Sequence, residues 1–215
     1  YVEPFGAFPY AVLPSPVTLP HGPVCYNGPI LHLATVNPWK GHVDLLMAIH
    51  QLKESGHALQ LRSVGMVCNY ALRQRLDCLV DHLHLADCVV LDDYLPDPGP
   101  MLQSCRAVVV SSVSHSGGPE TFGRSIIEAW AYRKPVVAYA TGAPARLITH
   151  EVDGLLVPEG DTRALSAALQ RVASDSALCQ RLGEAGYTKV EQNYQTATVA
   201  HRLFSLLAEP NACAN

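Results

Sequence analysis

The 215 residues contain no C-x-x-C pair, no G-x-G-x-x-G fingerprint, no P-loop and no G-x-S-x-G elbow. Their absence removes the usual signatures of a dithiol redox site, a dinucleotide-binding βαβ unit, a P-loop NTPase and an α/β-hydrolase. No apolar run approaches the roughly 18 residues of a membrane span. There is also no basic excess. Fifteen Lys and Arg against nineteen Asp and Glu give a formal charge of -4, and the signs are interspersed, so no electrostatic footprint for nucleic acid is present. No signal peptide is recognisable, and a chain that starts at Tyr1 reads as a fragment or an excised domain.

The seven Cys, at 25, 68, 78, 88, 105, 179 and 213, are odd in number and dispersed. Such a set reads as reduced, mostly buried thiols in a cytoplasmic protein, with peripheral membrane attachment left open. The ten His are dispersed too. His82 and His84 are two apart on a predicted helix and so do not share a face. Asp92-Asp93 reads as a strand-end turn, and no metal site is expected.

Residues 1–29 carry Pro at 4, 9, 14, 16, 20, 23 and 29. They can hold neither a regular helix nor a central strand, and read as an extended arm or interdomain linker. From residue 30 the pattern changes. Strands are predicted at Ile30–Val36, Leu59–Val64, Cys88–Leu91, Ala107–Ser111, 136–139 and 155–157. They alternate with helices at His42–Ser55 (Val43, Leu46, Met47, Ile49 and Leu52 inward), Tyr70–Leu85, Asp97–Ser104, Ala145–Thr149, Asp161–Ala173 and Ser176–Ala185. That alternation predicts an α/β fold, a Rossmann-like parallel sheet with helices on both faces, over residues 30–194. A last amphipathic helix and tail occupy 195–215. Ligands of such sheets bind beyond the carboxyl ends of the strands, where the loops starting at Asn37, Gly65, Asp92, Ser112 and Ala140 fall. Lys40, Glu120 and Gly142 belong to those loops.

The stretch from Ser111 to Gly142 organises the rest. A Ser/Gly loop runs into Glu120; Thr121 is placed to cap a helix starting near Phe122, whose stripe of Phe122, Ile126 and Trp130 predicts burial. Glu128 lies among apolar neighbours on that helix, where a carboxylate needs a partner or a polar ligand. Arg124, one turn earlier, is the bland partner. Glu120 sits just before the helix and Glu128 about 8 Å further along its axis. That is too far for a retaining hydrolase pair, which needs roughly 5 Å. Two such acids can instead grip the two ends of an extended ligand, with N–H groups around Gly123 facing an anion between them. Hydroxyls at both ends and phosphate in the middle describe a sugar nucleotide.

Glu120-Thr-Phe-Gly-Arg-Ser-Ile-Ile-Glu128, followed by Ala129-Trp-Ala, Lys134-Pro-Val-Val, Gly142 and Gly154-Leu-Leu-Val-Pro, resembles the E-x7-E region of retaining GT-B glycosyltransferases, most like glycosyltransferase family four. The likeness runs from about Ile30 to Tyr194, the donor-binding C-terminal half of such enzymes. It implies that Glu120 faces the donor sugar and Glu128 holds the nucleotide ribose. Lys40 would bind the diphosphate, Phe122 and Gly123 would pass close to the phosphates, and Thr121 and Gly142 would belong to the donor site. His115, in the Ser/Gly loop, is a further candidate donor contact. It implies a UDP- or GDP-sugar donor, an acceptor glycan, lipid or small molecule, and metal-independent transfer with no cofactor.

Two departures stand out. Thr35 occupies the place of a second, diphosphate-binding arginine, and Gly142-Ala-Pro-Ala-Arg146 replaces Gly-Gly-x-x-Glu. Arg133 reads as a pairing residue, and Arg124 as a pairing residue or lesser phosphate ligand. The acceptor domain that precedes the donor half in these enzymes is not in the 215 residues. A non-catalytic module or split-enzyme subunit docking a separate acceptor half is therefore the alternative. A sugar-nucleotide 2-epimerase is a more distant one.

Overall fold

The structure is a computed structural model that describes residues 13–57 and 59–208. The first twelve residues of the Pro-rich arm, and the tail with Cys213, lie outside them. In chain order come β1 (Ile30–Leu33), a 3-10 turn at Pro38–Lys40, α1 (His42–Glu54), β2 (Leu61–Val64), α2 (Tyr70–His82) and β3 (Val89–Asp92). Then follow α3 (Gly99–Ser104), β4 (Ala107–Val110), α4 (Arg124–Ala131), β5 (Val136–Tyr139), α5 (Gly142–Leu147) and β6 (Leu155–Val157). The chain closes with α6 (Thr162–Ser174), α7 (Ser176–Asn193) and α8 (Thr196–Ala208).

The six strands form one sheet in the order β3-β2-β1-β4-β5-β6, with every neighbouring pair parallel. Residue type dictates its two-sided burial. Successive side chains of a strand point to opposite faces, and here both faces are apolar. Ile30, Ala107, Val109, Val137 and Tyr139 pack with Leu45, Leu46 and Ile49 of α1 and Leu165, Leu169 and Val172 of α6. Their neighbours Leu31, Val108, Val110, Val136 and Ala138 pack with Ile126, Ile127 and Trp130 of α4. The predicted Rossmann-like α/β fold is therefore present, with helices on both faces.

Chain order reverses direction between β1 and β4. The loops leaving those two strands diverge and open a crevice at their carboxyl ends, the position where doubly wound sheets bind ligands. Val113 N–H donates to Trp39 O at 2.8 Å, which stitches the two loops together at that point.

Several boundaries differ from expectation. α7 continues to Asn193 rather than stopping at Ala185, because Gly186 serves as a packing surface and not as a helix end. A Cβ there would lie 2.1 Å from Trp130 Cδ1, so the glycine lets the indole of α4 press on the α7 backbone. Val43, expected inward, is exposed, while Leu45 is buried. α5 starts at Gly142, three residues early. Of the six described Cys, Cys88, Cys105 and Cys179 are buried, but Cys68 and Cys78 are exposed, so "mostly buried" holds only for those on strand ends and packed helices. Asp161 caps α6 as expected, accepting from Ala164 N at 2.9 Å. Among the described residues, no helix is long and apolar enough to cross a membrane.

Candidate functional site

A cleft of about 840 Å³ opens at the β1–β4 divergence. One wall comes from the β1 loop with Thr35, Trp39 and Lys40, the other from Glu120 and from Arg124, Ser125 and Glu128 of α4. Met66, Tyr94, Leu95 and Pro96, from the loops after β2 and β3, close its far end.

Lys40 ends the 3-10 turn, and its Nζ lies 3.9 Å from the Trp39 ring centroid. The same ammonium donates to Glu120 Oε2 at 2.5 Å. The two side chains are 15% and 12% exposed, so water screens the pair little. Glu120 Oε1 is 3.4 Å from Gly123 N. The acid thus sits between a cation and the amino end of α4.

Gly142 holds Glu120 from behind. It adopts φ +56°, and a Cβ there would lie 2.3 Å from Glu120 O. Ala143 N–H donates to the same oxygen at 2.6 Å. Gly142 is therefore the seat of the Glu120 backbone rather than part of the cleft lining.

α4 begins two residues later than the spacing suggested. Gly123, at φ +63°, is its N-cap, so Thr121 makes no cap and Phe122 is not helical. Phe122 is 72% exposed, and its place in the buried stripe is corrected accordingly. Gly123 also has a packing role. A Cβ there would meet Leu147 Cδ1 at 2.6 Å, toward the interior, so its lack of a side chain serves packing and the left-handed turn. His115 is exposed and lies outside the cleft lining; its Nδ1 is 3.7 Å from Glu159 Oε1.

Glu128 lines the cleft and pairs with Arg124, whose Nε donates to Oε1 at 2.8 Å. The side chains are 63% and 22% exposed. Exposed pairs one helical turn apart contribute about 0.3–0.5 kcal/mol. Removing one partner of an enclosed pair such as Lys40 with Glu120 costs more, because it strands a poorly solvated charge. Arg133 pairs with Glu184, and Arg146 reaches Thr121 O, both away from the cleft.

Beneath Lys40 runs a buried polar chain that the linear pattern did not disclose. Ser111 Oγ donates to Lys40 O at 3.0 Å and lies 3.4 Å from His32 Nε2, while His32 Nδ1 is 3.0 Å from Ser63 Oγ. The rings of His32 and His42 meet edge to face, with centroids 4.7 Å apart. Burial, then the neighbouring His42 and Lys40, hold His32 well below its ordinary pKa. Burial and Lys40 bring His42 down to about 4. Both are neutral at pH 7 and support the Lys40 loop without adding charge. The signals for this chain were a histidine interrupting an apolar strand and serines at two strand ends. Nor did the linear pattern disclose the aromatic and proline wall at Tyr94–Pro96; its signal was an aromatic just past a strand's carboxyl end.

Among the described residues, no group of three or more His, Cys, Asp or Glu is placed to hold a metal ion. Asp92 and Asp93 are spoken for by Arg62 and Arg73.

A parallel sheet of this order, with a charged cleft at its switch point, defines a Rossmann-like ligand-binding domain. The chain belongs to the glycosyl transferases group 1 family, whose model matches residues 28–189. It is 30% identical over 163 residues to the lipopolysaccharide core biosynthesis glycosyltransferase LpsD of Rhizobium meliloti, covering 72% of this chain and 46% of that one. It is 31% identical over 166 residues to a phosphatidyl-myo-inositol mannosyltransferase of Mycobacterium leprae, covering 77% and 42%. Among solved structures, sucrose-phosphate synthase of Thermosynechococcus elongatus matches with a TM-score of 0.74 at 28% identity, over 89% of this chain and 47% of that one. Anabaena HepE, solved with UDP and glucose, matches in fold with a TM-score of 0.76 at 24% identity, over 85% and 48%. The chain spans less than half the length of each of these relatives.

Proposed function

We propose that this chain is the donor-binding half of a retaining glycosyltransferase of family four type, moving a sugar from a UDP- or GDP-sugar to a hydroxyl of a glycan, lipid or small molecule. One observation carries the reading: Lys40 and, 80 residues further along the sequence, the Glu120–Glu128 stretch line a single cleft at the topological switch point. The lining supports the following division of labour. The apolar end at Met66, Tyr94, Leu95 and Pro96 suits a flat base. Glu128 is placed for ribose hydroxyls, Lys40 and the amino end of α4 for the diphosphate, and Glu120 for the sugar.

In transfer, the bond between the anomeric carbon and the phosphate oxygen breaks as the acceptor oxygen bonds that carbon on the same face. The acceptor proton passes to the departing phosphate oxygen, so no protein base is required. Lys40 opposes the charge that develops on the diphosphate, an electrostatic role of the oxyanion-hole kind. The cleft needs neither a metal ion nor a cofactor for this chemistry.

Isothermal titration with UDP, GDP and their sugars tests the reading. Binding tighter than millimolar, weakened by Glu128→Ala, is expected. No binding to any of them, together with no effect of that substitution, ends it.

The exposed Leu203, Phe204 and Leu207 of α8 favour a second reading, in which transfer requires an acceptor half docked on this helix. Activity of the isolated monomer toward an acceptor would exclude it.

A further inference from the structure

Two cations, Lys40 and Arg124, stand among the described residues that line the cleft, and each is already engaged by a carboxylate. A diphosphate arriving there can share Lys40 with Glu120, because the ammonium has three N–H donors, but a cation that moves wholly to the phosphates must leave its carboxylate. The two differ in how firmly they are held. Lys40 is enclosed, stacked on Trp39 and bonded to an acid that also faces the Gly123 amide. Drawing it away would strand Glu120 with little water around it. Arg124 is largely exposed and is tied to Glu128 through Nε, while its terminal nitrogens have no partner among the described residues. A guanidinium so placed can swing to phosphate at small cost, and its planar fork suits phosphate oxygens.

We propose that Arg124 is the cation that changes partner: on donor binding it leaves Glu128 for the diphosphate, and the released Glu128 carboxylate takes the ribose hydroxyls. This rests on the donor-binding reading above and adds a coupling to it. In the empty cleft Arg124 competes with ribose for Glu128. Phosphate removes the competitor, so the two halves of the nucleotide bind cooperatively. A nucleoside without phosphate gains nothing from Arg124 and must displace it.

The test compares wild type, Arg124→Gln, Arg124→Lys and Glu128→Ala. UDP and GDP are measured by calorimetry, and the nucleoside of the preferred one by ligand-observed NMR, which reads millimolar affinities. Thermal melting confirms that each variant is folded. Arg124→Gln is expected to weaken the diphosphate about tenfold while leaving the nucleoside unchanged or up to about twofold tighter. Arg124→Lys should recover part of the diphosphate loss, and Glu128→Ala should weaken both ligands. Equal weakening of diphosphate and nucleoside by Arg124→Gln would show a merely structural role and overturn the proposal. So would an unchanged diphosphate affinity. In either case, wild-type binding sensitive to Glu128→Ala leaves the donor-binding reading standing. Wild type that binds neither UDP nor GDP overturns both.

Discussion

Two acid–cation pairs face the same cleft and differ in almost every physical respect. Lys40 and Glu120 are 80 residues apart in sequence, enclosed, and braced by Trp39, by the Gly142 seat and by the buried Ser111–His32–Ser63 chain. Arg124 and Glu128 are one helical turn apart on α4, with Arg124 facing water and Glu128 half-buried at the cleft wall. The first pair is made by the fold and fixes where charge sits. The second is made by local helix geometry and can come apart at little cost. A site that holds one end of a ligand rigidly and yields at the other fits a substrate that must enter, react and leave as two pieces.

The largest effect that would sharpen this contrast belongs to Lys40. With an acceptor half present, Lys40→Ala is expected to lower the transfer rate about 10²–10³-fold, as loss of a preorganised electrostatic group does elsewhere. A drop below fivefold would mean that the enclosed pair is structural.

Next comes acid stability. His42 has a folded pKa of about 4, below its unfolded value of about 6.5. Between those values the unfolded chain binds a proton that the folded chain refuses. Its contribution is complete above pH 6.5 and is lost as pH falls toward 4, by about 3 kcal/mol in all. His32 adds in the same direction. Denaturant melts across that window should show the slope, and His42→Leu should flatten it. A wild-type profile that is flat from pH 6.5 to 4 would contradict the buried chain beneath Lys40.

Glu128→Ala follows, with roughly 1.5–3 kcal/mol lost in nucleotide affinity for a charge-assisted contact. The smallest effect is the stability change of Arg124→Ala, expected within about 0.5 kcal/mol and vanishing in high salt. A loss above 2 kcal/mol would show that the second pair is as much a structural element as the first.

How far the chain could be read in advance follows the same division between local and distant. β5 and β6 fall where expected because each is a short apolar run bounded by Pro135 or by Gly154 and Pro158. The parallel sheet followed from the alternation of runs, and Glu128 with Arg124 from helical spacing alone. The start of α4 did not, because Thr121 has the chemistry of a cap and Phe122 has helical spacing with Ile126 and Trp130. Only the left-handed turn at Gly123 separates them from the helix. The alternation of strands and helices placed Lys40 and Glu120 in loops at one edge of the sheet. Their direct contact is a product of the β1–β4 divergence and has no local trace. The same is true of His32, Ser63 and Ser111, which lie on three different strands or strand ends and meet only when the sheet forms.

The most direct test of the central claim is the position of UDP or GDP bound to this chain in a crystal structure. The account predicts the diphosphate within hydrogen-bond reach of Lys40 and the ribose hydroxyls on Glu128, inside the cleft at the carboxyl ends of β1 and β4. A nucleotide seated at the opposite edge of the sheet, in the pocket lined by Asn27, Gln60 and Arg106, would contradict it.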